Sequence, residues 1–290
     1  MEKGIIKKSF QPKKPYNRLV FHFSDRVQDP RGEFEVKKLP LQLAEECVFD
    51  SNNNDPNTWG KRSDQDIGYC SALFSRINNI LRTKSFKCVF DSAEKTPLAS
   101  KIDSFCSEEK PRLLRICLSG IEHEFKAREI IANAIGRHLL GKARAGDFRD
   151  KPIIVIVDEA HNFLGRQVGS EDHQTRLDAF EIIAKEGRKY GLSICLATQR
   201  PRDITEGVLS QMGTLIVHRL TNEQDRQVVE RACGEIDRAA SAFLPNLRPG
   251  EAAIIGVDFP IPLTIQIQKP ITKPQSEGPN YQKKWAIKPS

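Results

Sequence analysis

The stretch "IIVIVDEAH" at 153–161 sets two adjacent carboxylates directly after five β-branched residues. Such a run forms a buried strand, so Asp158 and Glu159 stand at its carboxyl end. Ligands of open α/β sheets bind at the carboxyl ends of the strands. An Asp there holds the water shell of a Mg²⁺ ion, and the next carboxylate orients and polarises an attacking water, as phosphoryl transfer requires. The plainer alternative is an Asp that caps the following helix. Further on, "LSICLATQRP" brings Gln199 to a second strand tip, beside the first. There an amide reads a γ-phosphate or the attacking water; the plainer reading is a loop amide bonded to nearby backbone.

A carboxylate pair of this kind works with a phosphate-binding loop, Gly-x-x-x-x-Gly-Lys-Ser/Thr, set between a strand and a helix. "GRHLLGKA" at 136–143 imitates that spacing. It follows no strand, its Leu139 and Leu140 continue a helical apolar pattern, and Ala143 offers no hydroxyl to Mg²⁺. It reads as a helix C-terminus with Gly141 near the cap and Lys142 in the last turn. No other stretch of the 290 residues fits the motif.

The elements that must position these residues follow one another from residue 111. "LLRICLS" (113–119) reads as a strand, "HEFKAREIIANAIGRHLLGKA" as a helix, 152–158 as a strand and "TRLDAFEIIAKEGRKYG" as a helix. That last helix buries Leu177, Phe180, Ile183 and Ala184 and turns Glu181 and Lys185 outward as an i,i+4 pair. Strands follow at 192–198, 213–219, 251–257 and 262–268. Between them lie helices over "DITEGVLSQ" and over "TNEQDRQVVERAC", the second opened by a capping box of Thr221 and Gln224. Apolar strands alternating with helices predict an α/β fold, a mostly parallel sheet with helices on both faces. Residues 1–110 read as a mostly helical appendage in which "NRLVFHF" is a candidate strand and 50–66 a polar loop. Residues 111–268 form the core, and 269–290 an extended Pro- and Lys-rich tail.

Composition bounds the class. The chain is 39% hydrophobic and 29% charged, with net charge +7 and a pI near 9.0. Ten Lys/Arg against five Asp/Glu in residues 1–40 make the front basic, which suits nucleic acid or simply a solvated surface. No apolar run is long enough to cross a membrane, and no secretion signal is expected at the N-terminus. Seven cysteines without a C-x-x-C pair argue against a zinc site. Reduced thiols in a cytoplasmic protein are expected, with Cys117 and Cys195 buried.

Taken together, "IVIVDEAHNF", "AKEGRKYGLSICLATQRPRDITEGVLSQMGTLIVHRLTNEQD" and "LRPGEAAIIG" resemble, in order and spacing, the HerA/FtsK class of hexameric DNA-pumping ATPases, HerA most closely. The resemblance covers roughly residues 111–275. It implies a RecA-like core, ATP and Mg²⁺ as cofactors, and Asp158 and Glu159 as the Walker B pair. It further implies Gln199 as the sensor and Arg188 as an arginine finger reaching the next subunit's ATP. A six-subunit ring around double-stranded DNA is implied, with a NurA-like nuclease as partner, or a sirtuin-like or nuclease effector in phage defence. Arg166 and Arg176, in the stretch "NFLGRQVGSEDHQTR", are candidate DNA contacts, with an ordinary loop as the alternative.

One departure is large. In that family a small β-barrel and the P-loop precede the Walker B strand, and neither is present here. The expectation is therefore the C-terminal half of a split or truncated ATPase, its sheet incomplete at the P-loop strand, active as an ATP-driven translocase once an N-terminal half is supplied. A non-catalytic ring-forming scaffold that binds a nuclease is the alternative. A DEAH-box helicase fits less well, since the second strand ends "LATQRP" rather than S-A-T and no Q-x-x-G-R-x-G-R stretch occurs.

Overall fold

The computed structural model describes residues 5–24, 35–90, 97–121, 126–170, 173–232, 243–256, 259–272 and 285. The chain divides into two compact units, residues 1–128 and 129–290. Residues 111–128 thus go with the front unit.

The front unit is helical: α1 (Lys13–His22), α2 (Leu39–Glu46), α3 (Asp64–Tyr69), α4 (Ser71–Arg82), α5 (Lys84–Phe90) and α6 (Leu98–Ser107). "NRLVFHF" lies in α1, a helix and not the strand its aromatic and β-branched residues suggest. Tyr16, in the middle of α1, donates its hydroxyl to Glu46 Oε1 (2.9 Å) and meets the Trp59 ring edge-on (6.1 Å). Lys8 bridges Glu46 (2.9 Å) and lies 4.1 Å from the Trp59 ring centroid. Burial, the hydrogen bond to Glu46 and the Glu46 charge raise the Tyr16 phenol to about 12. Because the folded value lies above the ordinary 10.0, stability falls as pH rises from 10.0 to about 12. Ultraviolet titration of the folded chain is expected to show one phenol ionising near pH 12, absent in Tyr16→Phe. The stretch 113–119, expected as a strand, carries no regular secondary structure over 113–118, turns at 119 and has no strand partner among the described residues.

The second unit opens with α7 (Ala127–Ala145), whose Ala132, Leu139, Leu140 and Ala143 are buried. Next come β1 (Ile153–Val157), β2 (Arg166–Ser170), β3 (His173–Leu177) and α8 (Ala179–Glu186). β4 (Leu192–Leu196), α9 (Glu206–Leu209), β5 (Thr214–Val217), α10 (Glu223–Ala232), β6 (Glu251–Gly256) and β7 (Phe259–Gln266) complete it. β1 pairs with β4 in parallel, Ile153 opposite Leu192 and Val157 opposite Leu196. β2 and β3 pair antiparallel where a loop was expected up to Arg176, and residues 175–177, expected as the first turn of a helix, belong to β3; the helix itself starts at Ala179. β5, β6 and β7 form an antiparallel sheet over Val217, Val229, Leu244, Leu247, Ala253 and Ile255. The α/β class is as expected; among the described residues parallel pairing is confined to β1–β4, and β2–β3, β5–β6 and β6–β7 pair antiparallel.

One face of the β1–β4 pair packs inward, ending on buried Val157 and Leu192. The other is uncovered: Ile154 and Ile156 are each 67% exposed, and their register partners Ser193 and Cys195 are exposed beside them. Cys195 therefore does not have the buried position its apolar flanks suggest, and Cys117 is exposed as well; both are free thiols.

Three local expectations are corrected. Glu181 is buried, not outward: its Oε2 pairs with Arg176 (2.6 Å) and its Oε1 accepts the Gly165 N–H (3.1 Å). The α10 cap is Asn222, whose Oδ1 accepts the N–H groups of Gln224 (2.9 Å) and Asp225 (3.3 Å), where Thr221 was expected. α7 runs past Gly141 to Ala145. It closes at Gly146 (φ 97°), where Gly146 N–H returns to Ala143 O (2.9 Å) and Asp147 N–H to Lys142 O (3.2 Å). The tail residues 273–284 and 286–290 lie outside the described residues.

Candidate functional site

The P-loop look-alike is a piece of α7. Lys142 pairs with Asp147 (2.8 Å), and a Cβ on Gly136 would sit 2.8 Å from the Ala179 Cβ. Gly136 is small so that α7 can approach the start of α8, where Asn133 Oδ1 accepts the Ala179 N–H (3.0 Å) and Arg137 pairs with Asp178 (2.9 Å).

The carboxylates stand where the sequence puts them. Backbone pairing runs on past the strands, Ala197 N–H to Val157 O and Ala160 N–H to Ala197 O, each 2.9 Å. This holds the segments after β1 and β4 side by side. Asp158 Oδ1 accepts the Glu159 N–H (3.0 Å). The short 3₁₀ turn Ala160–Asn162 has Glu159 at its cap position and no side-chain cap bond, so Asp158 does not act as a helix cap. Glu159 takes left-handed backbone angles (φ 49°, ψ 46°), a conformation that costs a residue with a Cβ about 1 kcal/mol or more and is held by surrounding contacts.

Those contacts come from both strand ends, Gln199 and Thr198 after β4 and His161 in the turn after β1. Gln199 Nε2 donates to Glu159 Oε1 (2.9 Å), forty positions away in sequence, so its amide is not spent on local backbone. His161 Nδ1 lies 3.4 Å from Glu159 Oε2 and 3.1 Å from Thr198 Oγ1. Thr198 Oγ1 also accepts the Arg200 N–H (3.0 Å). Sequence reasoning assigned nothing to His161 and Thr198. The signal was present: a His in the turn after one strand and a Thr beside Gln199 at the tip of its parallel neighbour.

The remaining candidates lie elsewhere. Arg188 sits in the 3₁₀ turn Gly187–Tyr190, exposed, at the amino end of β4. β4 has five residues, at about 3.3 Å each, so roughly 16 Å of strand separates Arg188 from Gln199 at the other end. Arg188 and Glu159 are not brought together within one chain. Arg166 begins β2, and Arg176, on β3, is tied to Glu181.

Asp158, with one oxygen engaged by a backbone N–H, suits a Mg²⁺ ion bound through water. Such ions take one or two protein carboxylates and complete their shell with water and phosphate oxygens. No cluster of three or more His, Cys, Asp or Glu able to hold a metal occurs among the described residues. No helix of the described residues is long and apolar enough to cross a membrane.

The fold is α/β. It is similar to VirB4 of Thermoanaerobacter pseudethanolicus, at TM-score 0.51 and 16% identity, over 88% of this chain and 63% of that one. Residues 142–246 match the family described as helicase HerA-like C-terminal, and across this segment the chain is HerA-like. It is 36% identical over 116 residues to the DNA double-strand break repair helicase HerA of Pyrococcus furiosus, covering 40% of this chain and 20% of that protein. It is 33% identical over 120 residues to a probable helicase of Methanocaldococcus jannaschii, covering 41% and 22%. The match thus spans about a fifth of the length of these relatives.

Proposed function

We propose that residues 153–200 supply the metal-and-water side of an ATP-hydrolysing site in a HerA-like, DNA-translocating assembly. The observation that carries this reading is the meeting of Asp158, Glu159 and Gln199 at the carboxyl ends of a parallel strand pair. In this reading Asp158 holds the water shell of Mg²⁺, Glu159 takes a proton from the attacking water, and Gln199 couples the position of Glu159 to the γ-phosphate. When bound, Mg²⁺ would neutralise charge on the phosphate oxygens.

The cradle for the phosphates is assigned to a polypeptide segment other than residues 1–290, since the single look-alike is the helical stretch around Lys142. The uncovered face carrying Ile154 and Ile156 supports this: a parallel sheet is stable with both faces covered, and this face lacks its layer among the described residues. The names of the relatives and the basic front support double-stranded DNA as the partner, and the proposed assembly on it is a hexameric ring. A NurA-like nuclease or a defence effector remains the proposed associate.

The test is nucleotide binding. The purified chain is expected to bind Mg-ATP weakly or not at all in calorimetry, with or without Lys142→Ala. It should gain binding when a P-loop-bearing HerA-like segment is co-expressed. Micromolar binding by the chain alone, abolished by Lys142→Ala, would overturn the assignment.

A further inference from the structure

The Glu159 carboxylate is held from both sides. Gln199 donates to Oε1 at 2.9 Å, and His161, its side chain only 12% exposed, faces Oε2 at 3.4 Å with Thr198 Oγ1 at 3.1 Å from the same ring nitrogen. Two ring forms are open to a neutral His161. With the proton on Nε2, Thr198 would donate to Nδ1, and the Nδ1 lone pair would also face a carboxylate oxygen, which repels it. With the proton on Nδ1, one N–H lies between two acceptors, Thr198 Oγ1 and Glu159 Oε2. Thr198 is suited to accept, because its oxygen already takes the Arg200 N–H and its own hydroxyl proton is free to turn away.

From this geometry we infer that His161 is the positioning residue of Glu159: its Nδ1–H, oriented by Thr198, fixes one carboxylate oxygen while Gln199 fixes the other. The arrangement also accounts for the left-handed Glu159 backbone, since contacts on both oxygens hold a conformation that the residue alone disfavours. A substrate that draws Gln199 away leaves the His161 contact in place, so the carboxylate pivots about a fixed oxygen and is not released. The functional part of the inference rests on Glu159 being the base proposed above.

The first arm of the test needs no ATP. In the full chain labelled with ¹⁵N-histidine, long-range proton–nitrogen correlation at neutral pH is expected to find His161 in the Nδ1–H form, its signal assigned by its loss in His161→Ala. Glu159→Ala should move the ring towards the Nε2–H form that free imidazole favours. An Nε2–H ring in the unaltered chain, or no response to Glu159→Ala, would overturn the inference. The second arm uses the ATP-hydrolysing assembly. His161→Ala should lower kcat about tenfold to a hundredfold with KM for ATP unchanged, the scale of a misplaced reacting group. His161→Asn, whose amide N–H stands where Nδ1–H stood, should recover most of the loss, and His161→Gln should not. Equal turnover in all three variants would remove the positioning role. Failure of Glu159 itself as the base would appear separately, as normal turnover in Glu159→Gln with the His161 ring form unchanged in the wild type.

Discussion

Glu159→Gln is expected to leave nucleotide bound to the complete assembly and to slow its hydrolysis at least about a hundredfold, the usual scale for removing a general base. The substitution is close to isosteric, and the site can accommodate it. The new side chain's amide oxygen can still accept from Gln199 Nε2, which now holds Oε1 at 2.9 Å. What disappears is the ability to take a proton. The pairing of Ala160 N–H with Ala197 O does not depend on the carboxylate, so the two strand ends should stay side by side, and the new amide N–H₂ can be met by His161 Nδ1 as an acceptor in the other ring form. Filter binding of labelled ATP together with single-turnover hydrolysis separates the two effects. Unchanged turnover would take Glu159 out of the mechanism. A joint loss of binding and turnover would instead mean that the carboxylate serves the metal, as proposed for Asp158.

The parts of this site legible in the sequence are those set by local composition. Five β-branched residues followed by Asp158 and Glu159 leave little choice but a strand with charges at its tip, and the LSICLATQ run gives the matching neighbour; the exposure of Ile154 and Ile156 on one face is not legible, since the run predicts burial on both. The illegible parts are set by contacts distant in sequence. Glu181 looks like a surface partner of Lys185 four positions on, yet it is buried because Arg176 and the Gly165 N–H satisfy both its oxygens. The α1 residues look strand-forming, but Tyr16 finds Glu46 and Trp59, and that packing outweighs weak local preference. Residues 113–118 have the composition of a strand without a neighbouring strand among the described residues, and composition does not supply the partner. His161 escaped notice for the same reason: its partners, Thr198 and the Glu159 carboxylate, meet only when the two strand ends are laid side by side.

Arg188→Ala is expected to abolish steady-state hydrolysis in the assembled ring while sparing ATP binding. The geometry makes this a statement about two subunits. Arg188 lies at the amino end of β4 and Gln199 beyond its carboxyl end, roughly 16 Å of strand apart, too far for the guanidinium to reach Glu159 of its own chain. The side chain is exposed and has no hydrogen bond or ion pair among the described residues, so its charge is not consumed within the unit. A forked, permanently charged guanidinium suits the equatorial oxygens of a transferring phosphoryl group, and only a neighbouring subunit's site is open to it. The competing role, offsetting the dipole at the end of α8, is worth at most about 1 kcal/mol and would leave turnover nearly normal. Mixed rings decide between them. A subunit carrying Arg188→Ala keeps its own Glu159 but cannot complete its neighbour's site, whereas a Glu159→Gln subunit fails at its own site yet still offers Arg188. Combining the two, each inactive alone, should recover part of the activity at interfaces that join an intact Glu159 to an intact Arg188. The recovery should vary with the mixing ratio and pass through a maximum. Normal hydrolysis by the uniform Arg188→Ala ring would make Arg188 a surface arginine, and inactivity at every ratio would place its function within its own chain.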